Sequence, residues 1–313
     1  MAPRWKPWPG TWSWTAASIP KGGSDLRDHE RPIGVFDSGL GGLTVLRELH
    51  RRLPCEDLVY FGDTARVPYG TKGEATVRQF AAQDAGLLVS KGVKLVVVAC
   101  NTASAFALEH LRTTLPVPVL GVIEPGVRAA LAATRGGAVG VIGTSGTIRS
   151  GRYQAGLERG GLAAERVFAR ECPLFVPLVE EDKMGQDMMR LAVWEYLQPL
   201  KDAGVDTLIL GCTHYPLLKA DIGAFMGRGT VLVDSAEMLA EATVSLLGER
   251  GLLRRDHLAE EAAAPEGRLS FYLSDLPWKF AEIGARFLGH AIENSEVVGL
   301  DEMEAAGKLA REG

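Results

Sequence analysis

Two cysteines, Cys100 and Cys212, each stand directly after an apolar run, Val96-Val97-Val98-Ala99 before the first and Leu208-Ile209-Leu210-Gly211 before the second. A thiol is an acid, a base and a nucleophile, but with an ordinary pKa of about 8.5 only a few per cent is thiolate at neutral pH, so its surroundings must assist. An aliphatic run followed by small polar residues and then a helical pattern reads as a buried parallel strand entering a helix. Each thiol is therefore expected at the carboxyl end of a strand, where open α/β sheets hold ligands. It is also expected at a helix start, where unpaired N–H groups lower a thiol's pKa. The cysteines lie 112 residues apart, and a second pair of segments, Ile33-Gly34-Val35-Phe36-Asp37-Ser38 and Val139-Gly140-Val141-Ile142-Gly143-Thr144, repeats at an offset of 106. The spacing reads as two similar halves, each presenting one thiol.

Each thiol has a candidate assistant. Asp37 ends the first apolar run at a turn opened by Gly39, Gly41 and Gly42. Its carboxylate can take a proton from a thiol or hold an ammonium group, and Asp37-Ser38 can equally serve as a helix cap. His214, two residues after Cys212, can act as a base or orient a carboxylate, or simply be a satisfied core histidine. Asn101, Thr102, Thr144, Ser145, Thr147 and Thr213 supply donors at helix starts, which suit a carboxylate. Gly39-Leu40-Gly41-Gly42 could cradle a phosphate, but both the G-x-G-x-x-G and the G-x-x-x-x-G-K-[ST] spacings are absent. Metal-ligand pairs at zinc spacing are absent too.

The elements that must position these groups alternate. Strand-like runs cover 33–36, 58–61, 95–99, 117–120, 138–142, 167–169, 208–210, 231–233 and, late in the chain, 269–273. Helical patterns cover 43–53, 74–89, 103–111, 186–200, 236–247 and 278–287. Such alternation predicts parallel sheets with right-handed crossovers. At 313 residues two domains are expected, taking about 100 to 200 residues for each. The first runs over 31–122 and regains the chain over 234–313, and the second covers 123–233. Residues 1–30, with Trp5, Trp8, Trp12 and Trp14 among Pro, Gly, Ser and Thr, lack the apolar stretch of a secretory leader. They read as a disordered extension or as a start codon placed too far upstream, and 250–268 is the least decided stretch.

Composition narrows the partners. With 46% hydrophobic and 23% charged residues and a formal charge of -5, the chain reads as an ordinary soluble one. It has neither a basic block for nucleic acid nor an apolar run of the roughly 18 residues that a membrane span needs. Four cysteines without Cys-x-x-Cys spacing fit a reducing cytosol, and so a cytoplasmic location.

Six segments then combine: Asp37-Ser38-Gly39-Leu40-Gly41-Gly42, Val67-Pro68-Tyr69-Gly70, Ala99-Cys100-Asn101-Thr102-Ala103, Gly143-Thr144, Pro173-Leu174-Phe175-Val176-Pro177-Leu178-Val179-Glu180 and Gly211-Cys212-Thr213-His214-Tyr215-Pro216. Together, over about residues 32–300, they resemble the bacterial glutamate racemases. The resemblance implies two pseudosymmetric, doubly wound α/β domains with glutamate buried in the cleft between them, no cofactor and no metal, and a product used in peptidoglycan synthesis. It implies that Cys100 and Cys212 transfer the proton, assisted by Asp37, Glu180 and His214. Glu181 and Asp182 follow Glu180, so which acid assists stays open. Substrate would be held by Asp37, Ser38, Tyr69, Gly70, Asn101, Thr102, Thr144, Thr147, Thr213 and His214. The oligomeric state, a homodimer among the options, is left open. The rivals are a two-cysteine racemase of aspartate, a hydantoin or maleate isomerase of similar architecture, and a two-lobed solute receptor.

Overall fold

The computed structural model describes residues 26–254, 266–292 and 294–312. Most of the tail reading for 1–30, and the centre of the 250–268 stretch, lie outside these residues. Asp28–Glu30 is a 3-10 turn, and His29 O accepts a hydrogen bond from Lys94 Nζ at 2.8 Å, so this end of the tail joins the body.

Among the described residues, ten strands form two all-parallel sheets. They are β1 (Ile33–Asp37), β2 (Leu58–Gly62), β3 (Leu95–Val98), β4 (Val119–Gly121), β5 (Ala138–Gly143), β6 (Val167–Glu171), β7 (Val205–Gly211), β8 (Val231–Asp234), β9 (Leu269–Leu273) and β10 (Glu296–Val297). The orders are β10-β9-β2-β1-β3-β4 and β6-β5-β7-β8. Leaving out β9 and β10, the two read alike: β2-β1-β3-β4 against β6-β5-β7-β8. Central strands of such sheets are covered on both faces, and so read as unbroken apolar runs. Ile33 and Val35 of β1 face one core and Phe36 the other.

The differences from the sequence reading have local causes. β7 starts at Val205, three residues before its apolar run, because Asp206 is tied down by the Arg135 and Gly137 amides at 3.0 and 2.9 Å. The single helix expected over 103–111 starts at Asn101 and breaks at Ala107 into Asn101–Phe106 and Leu108–Thr114. The helix Ile123–Ala133 was hidden by Pro125 and Gly126, although proline is tolerated in a first turn. β10 has two exposed residues and no apolar pattern to find.

The last segment returns to the first sheet: β9 pairs with β2, from Leu58↔Leu269 to Gly62↔Leu273. The helix Leu300–Glu312 lies on Glu74–Ser90, where a Cβ on Gly86 would stand 2.7 Å from Ala306 O. The helix Ser235–Glu249 leaves the second sheet and packs on Leu43–Arg52 and Ile123–Ala133, so one core runs through both halves.

Candidate active site

The carboxyl ends of β1, β3, β5 and β7 carry Asp37, Cys100, Thr144 and Cys212. In each sheet these strands flank the point where the strand order reverses, the place where doubly wound sheets leave a crevice.

On the first side, Cys100 caps the helix Asn101–Phe106, and its Sγ accepts the Ala103 amide at 3.4 Å. The helix start was expected to lower the thiol's pKa; the structure reverses this. Burial, with only 5% of the residue exposed, followed by the Asp37 charge, pushes Cys100 up to about 12, against the smaller opposing effects of the Ala103 amide and the Ser38 hydroxyl. One long N–H···S contact does not replace a lost hydration shell. Asp37, 1% exposed, is likewise raised by burial, opposed by the His214 charge and the amides of Gly42, Gly39 and Ser38. Its Oδ2 accepts Gly39 N at 3.2 Å, while its Oδ1 is buried without a partner. Asn101 accepts the Tyr153 hydroxyl on Oδ1 at 2.7 Å, and its buried Nδ2 has no acceptor.

On the second side, Cys212 precedes a 3-10 turn, Tyr215–Leu218, and not the α-helix expected there. Its Sγ lies 3.9 Å from His214 Nδ1, and His214 Nε2 lies 2.9 Å from Glu180 Oε1. Burial alone would depress the imidazolium, but the hydrogen bonds and charges of Cys212 and Glu180 outweigh it and raise His214 to about 10. The neighbouring acids point elsewhere: Glu181 pairs with Lys279 at 2.8 Å and Asp182 with Arg286 at 3.4 Å.

The two sides meet directly. Thr102 Oγ1 is 2.9 Å from Thr144 Oγ1 and 3.1 Å from Thr147 Oγ1, and the last two are 3.0 Å apart. Thr44 Oγ1 donates to Thr213 O at 2.9 Å. A Cβ on Gly41 would stand 2.2 Å from Thr213 Oγ1 and 2.5 Å from His214 Nδ1, so this turn needs glycine to approach the second half.

Tyr69, expected to hold substrate, turns its hydroxyl away from the crevice. The hydroxyl lies within hydrogen-bond distance of Asp63 Oδ2 and, at 2.8 Å, of Asp84 Oδ2, and Arg66 bridges the same carboxylates. What this loop presents to the crevice is backbone at Gly70, where a Cβ would stand 2.5 Å from Thr144 Cβ. Thr44, Tyr153, Asp63, Arg66 and Asp84 escaped the sequence reading. Thr44 and Tyr153 act on partners 169 and 52 residues away, and no local pattern announces that.

Comparison with known proteins agrees with this geometry. The family model described as Asp/Glu/hydantoin racemase matches residues 33–243. The glutamate racemase of Geobacter metallireducens is 51% identical over 271 residues, covering 87% of this chain and 97% of that protein. The crystal structure of the Francisella tularensis glutamate racemase in complex with D-glutamate superposes with a TM-score of 0.79 at 38% identity, over 87% of this chain and 99% of that one. That of the Thermus thermophilus glutamate racemase in complex with β-chloro-D-alanine gives 0.77 at 46% identity, over 88% and 100%. Identity of this order across the whole two-sheet body leaves one assignment: the chain belongs to the Asp/Glu/hydantoin racemase family, among its glutamate racemases, and is an isomerase.

Proposed function

We propose that the protein interconverts L- and D-glutamate by a two-base proton transfer between Cys100 and Cys212, without a cofactor, in the cytoplasm, and that its D-glutamate feeds peptidoglycan synthesis. The observation that carries this reading is the pair of unpartnered buried atoms beside Cys100, the acceptor Asp37 Oδ1 and the donor Asn101 Nδ2. Buried polar groups are rarely left unpaired, and these two match the ammonium and the α-carboxylate of an amino acid. Glutamate is favoured over aspartate by the relatives, the Francisella tularensis enzyme having been solved with D-glutamate. Four free, buried cysteines suit a reducing compartment.

The reading takes 31–122 plus 234–313 as one domain and 123–233 as the other, with the substrate Cα between the two thiols. Cys212 as thiolate takes the Cα proton of L-glutamate, leaving the bond's electron pair on Cα, and the Cys100 thiol protonates the opposite face. The result is D-glutamate, a Cys212 thiol and a Cys100 thiolate, and the reverse reaction exchanges the roles. Asp37 assists Cys100, and His214 with Glu180 assists Cys212. The expected result, after dialysis against a chelator, is that circular dichroism of L-glutamate decays to zero while that of L-aspartate persists. Each of Cys100→Ser and Cys212→Ser should lower racemisation by at least about a hundredfold, the scale of one positioned acid/base group. Decay of aspartate alone, or wild-type racemisation by either variant, would reject the proposal.

A further inference from the structure

The pair that assists Cys212 is held from the opposite half of the molecule. Glu180 ends a six-residue helix, Phe175–Glu180, and its side chain is 42% exposed, so its own surroundings fix it weakly. A helix of the returning C-terminal segment, Phe280–Leu288, reaches it. Arg286 Nη1 donates to Val179 O at 3.0 Å and lies 3.4 Å from Asp182 Oδ1, gripping a backbone carbonyl just before Glu180 and a side-chain carboxylate two residues after it. The next residue, Phe287, sets its ring edge-on to the His214 imidazole, with centroids 4.9 Å apart. The helix is itself anchored in the first half, where Arg47 Nη1 donates to Phe287 O at 3.3 Å and Phe280, Ile283, Phe287 and Leu288 are buried.

We propose that Arg286 is a positioning residue for the proposed reaction, holding Glu180 against His214 while Phe287 fixes the ring, so that a latch from the first half aligns the base of the second. The inference rests on the two-thiol reading and deepens it. Its consequence is asymmetric. Asp37 beside Cys100 takes its hydrogen bond from Gly39 of its own half and senses His214 only through its charge, so releasing Arg286 weakens chiefly the Cys212 side. A carboxylate that must sit within hydrogen-bond reach loses effect steeply when displaced by an ångström.

Reversible racemisation hides such asymmetry, because the equilibrium constant of unity ties kcat/KM in the two directions together. The test therefore uses L- and D-3-chloroglutamate separately. Removal of the Cα proton by a cysteine is followed by loss of chloride from the β-carbon, the Cα–H electron pair becoming the Cα=Cβ bond. Cys100→Ser and Cys212→Ser, run in parallel, identify the enantiomer that each thiol serves, L for Cys212 in our assignment. Arg286→Ala should slow elimination from the enantiomer served by Cys212 at least about tenfold and leave the other within about twofold. Arg286→Lys should recover part of the loss. In a Glu180→Gln background, Arg286→Ala should add little, because both substitutions act through one contact. Equal slowing of both enantiomers, or additive losses in the double variant, overturns the latch while leaving the two-thiol reading intact. If instead both cysteine variants process both enantiomers, the two-thiol reading fails and the latch falls with it.

Discussion

At the scale of single residues, the two thiols of a repeated architecture are in unlike surroundings. Cys100 is pushed up to about 12 by burial and by Asp37, whereas Cys212 faces an imidazole that keeps its proton to about 10. His214 therefore makes a pH-dependent contribution to stability. The ordinary value is 6.5, so the unfolded chain releases this proton above pH 6.5 while the folded protein retains it. The contribution is complete below pH 6.5 and is lost as the pH rises through about 10. One proton's difference corresponds to a slope of about 1.4 kcal/mol per pH unit. His214→Asn should remove that slope between roughly pH 7 and 9, read as urea-unfolding free energies at successive pH values against the wild type. Parallel profiles would show that the imidazolium is not held.

At the scale of elements, the proposed catalytic geometry depends on how closely a turn after β1 approaches Thr213 and His214. The turn between β1 and the helix Leu43–Arg52 carries Gly41, and a side chain there would drive Thr213 and His214 off their positions. Gly41→Ala should lower kcat about a hundredfold, since displacements near 1 Å cost that much at a reacting centre. Gly73→Ala, whose added Cβ meets nothing within 4 Å, is the control and should leave kcat unchanged. Steady-state kinetics of the two variants decides, and equal activities would show that the turn yields without disturbing the site.

At the scale of the whole molecule, the amino ends of the strands are tied together opposite the site. The Lys94 and Glu56 side chains form an ion pair exposed by 0% and 1%. Lys94 also donates to His29 O at 2.8 Å, and Glu56 Oε1 accepts Arg254 N at 2.9 Å. The cluster joins the chain before β1, the starts of β2 and β3, and the end of the described segment that follows Ser235–Glu249. Removing one partner of a buried pair strands the other charge, so Lys94→Met should destabilise by about 3–5 kcal/mol, whereas Lys94→Met with Glu56→Leu should recover much of that. Chemical denaturation measures both. A loss below about 1 kcal/mol in the single variant would mean that water reaches Glu56.

Reading the chain residue by residue reaches far here because the decisive signals are local. Apolar runs that stop at Asp37, Cys100, Thr144 and Cys212 mark strand ends, and the proposed chemistry sits at those ends because parallel strands bring their carboxyl termini to one edge. Glycines and small polar residues beside them mark the turns. Other features depend on partners distant in the chain. Choosing Glu180 over Glu181 and Asp182 requires knowing that Lys279 and Arg286 occupy the other two. That Tyr69 turns its hydroxyl to Asp63 and Asp84, or that Thr44 reaches Thr213, follows from packing between elements. The rise in the Cys100 pKa runs against the local expectation for the same reason. A helix start is visible in three consecutive residues, but desolvation is set by everything that closes over the thiol, and only the folded chain supplies that.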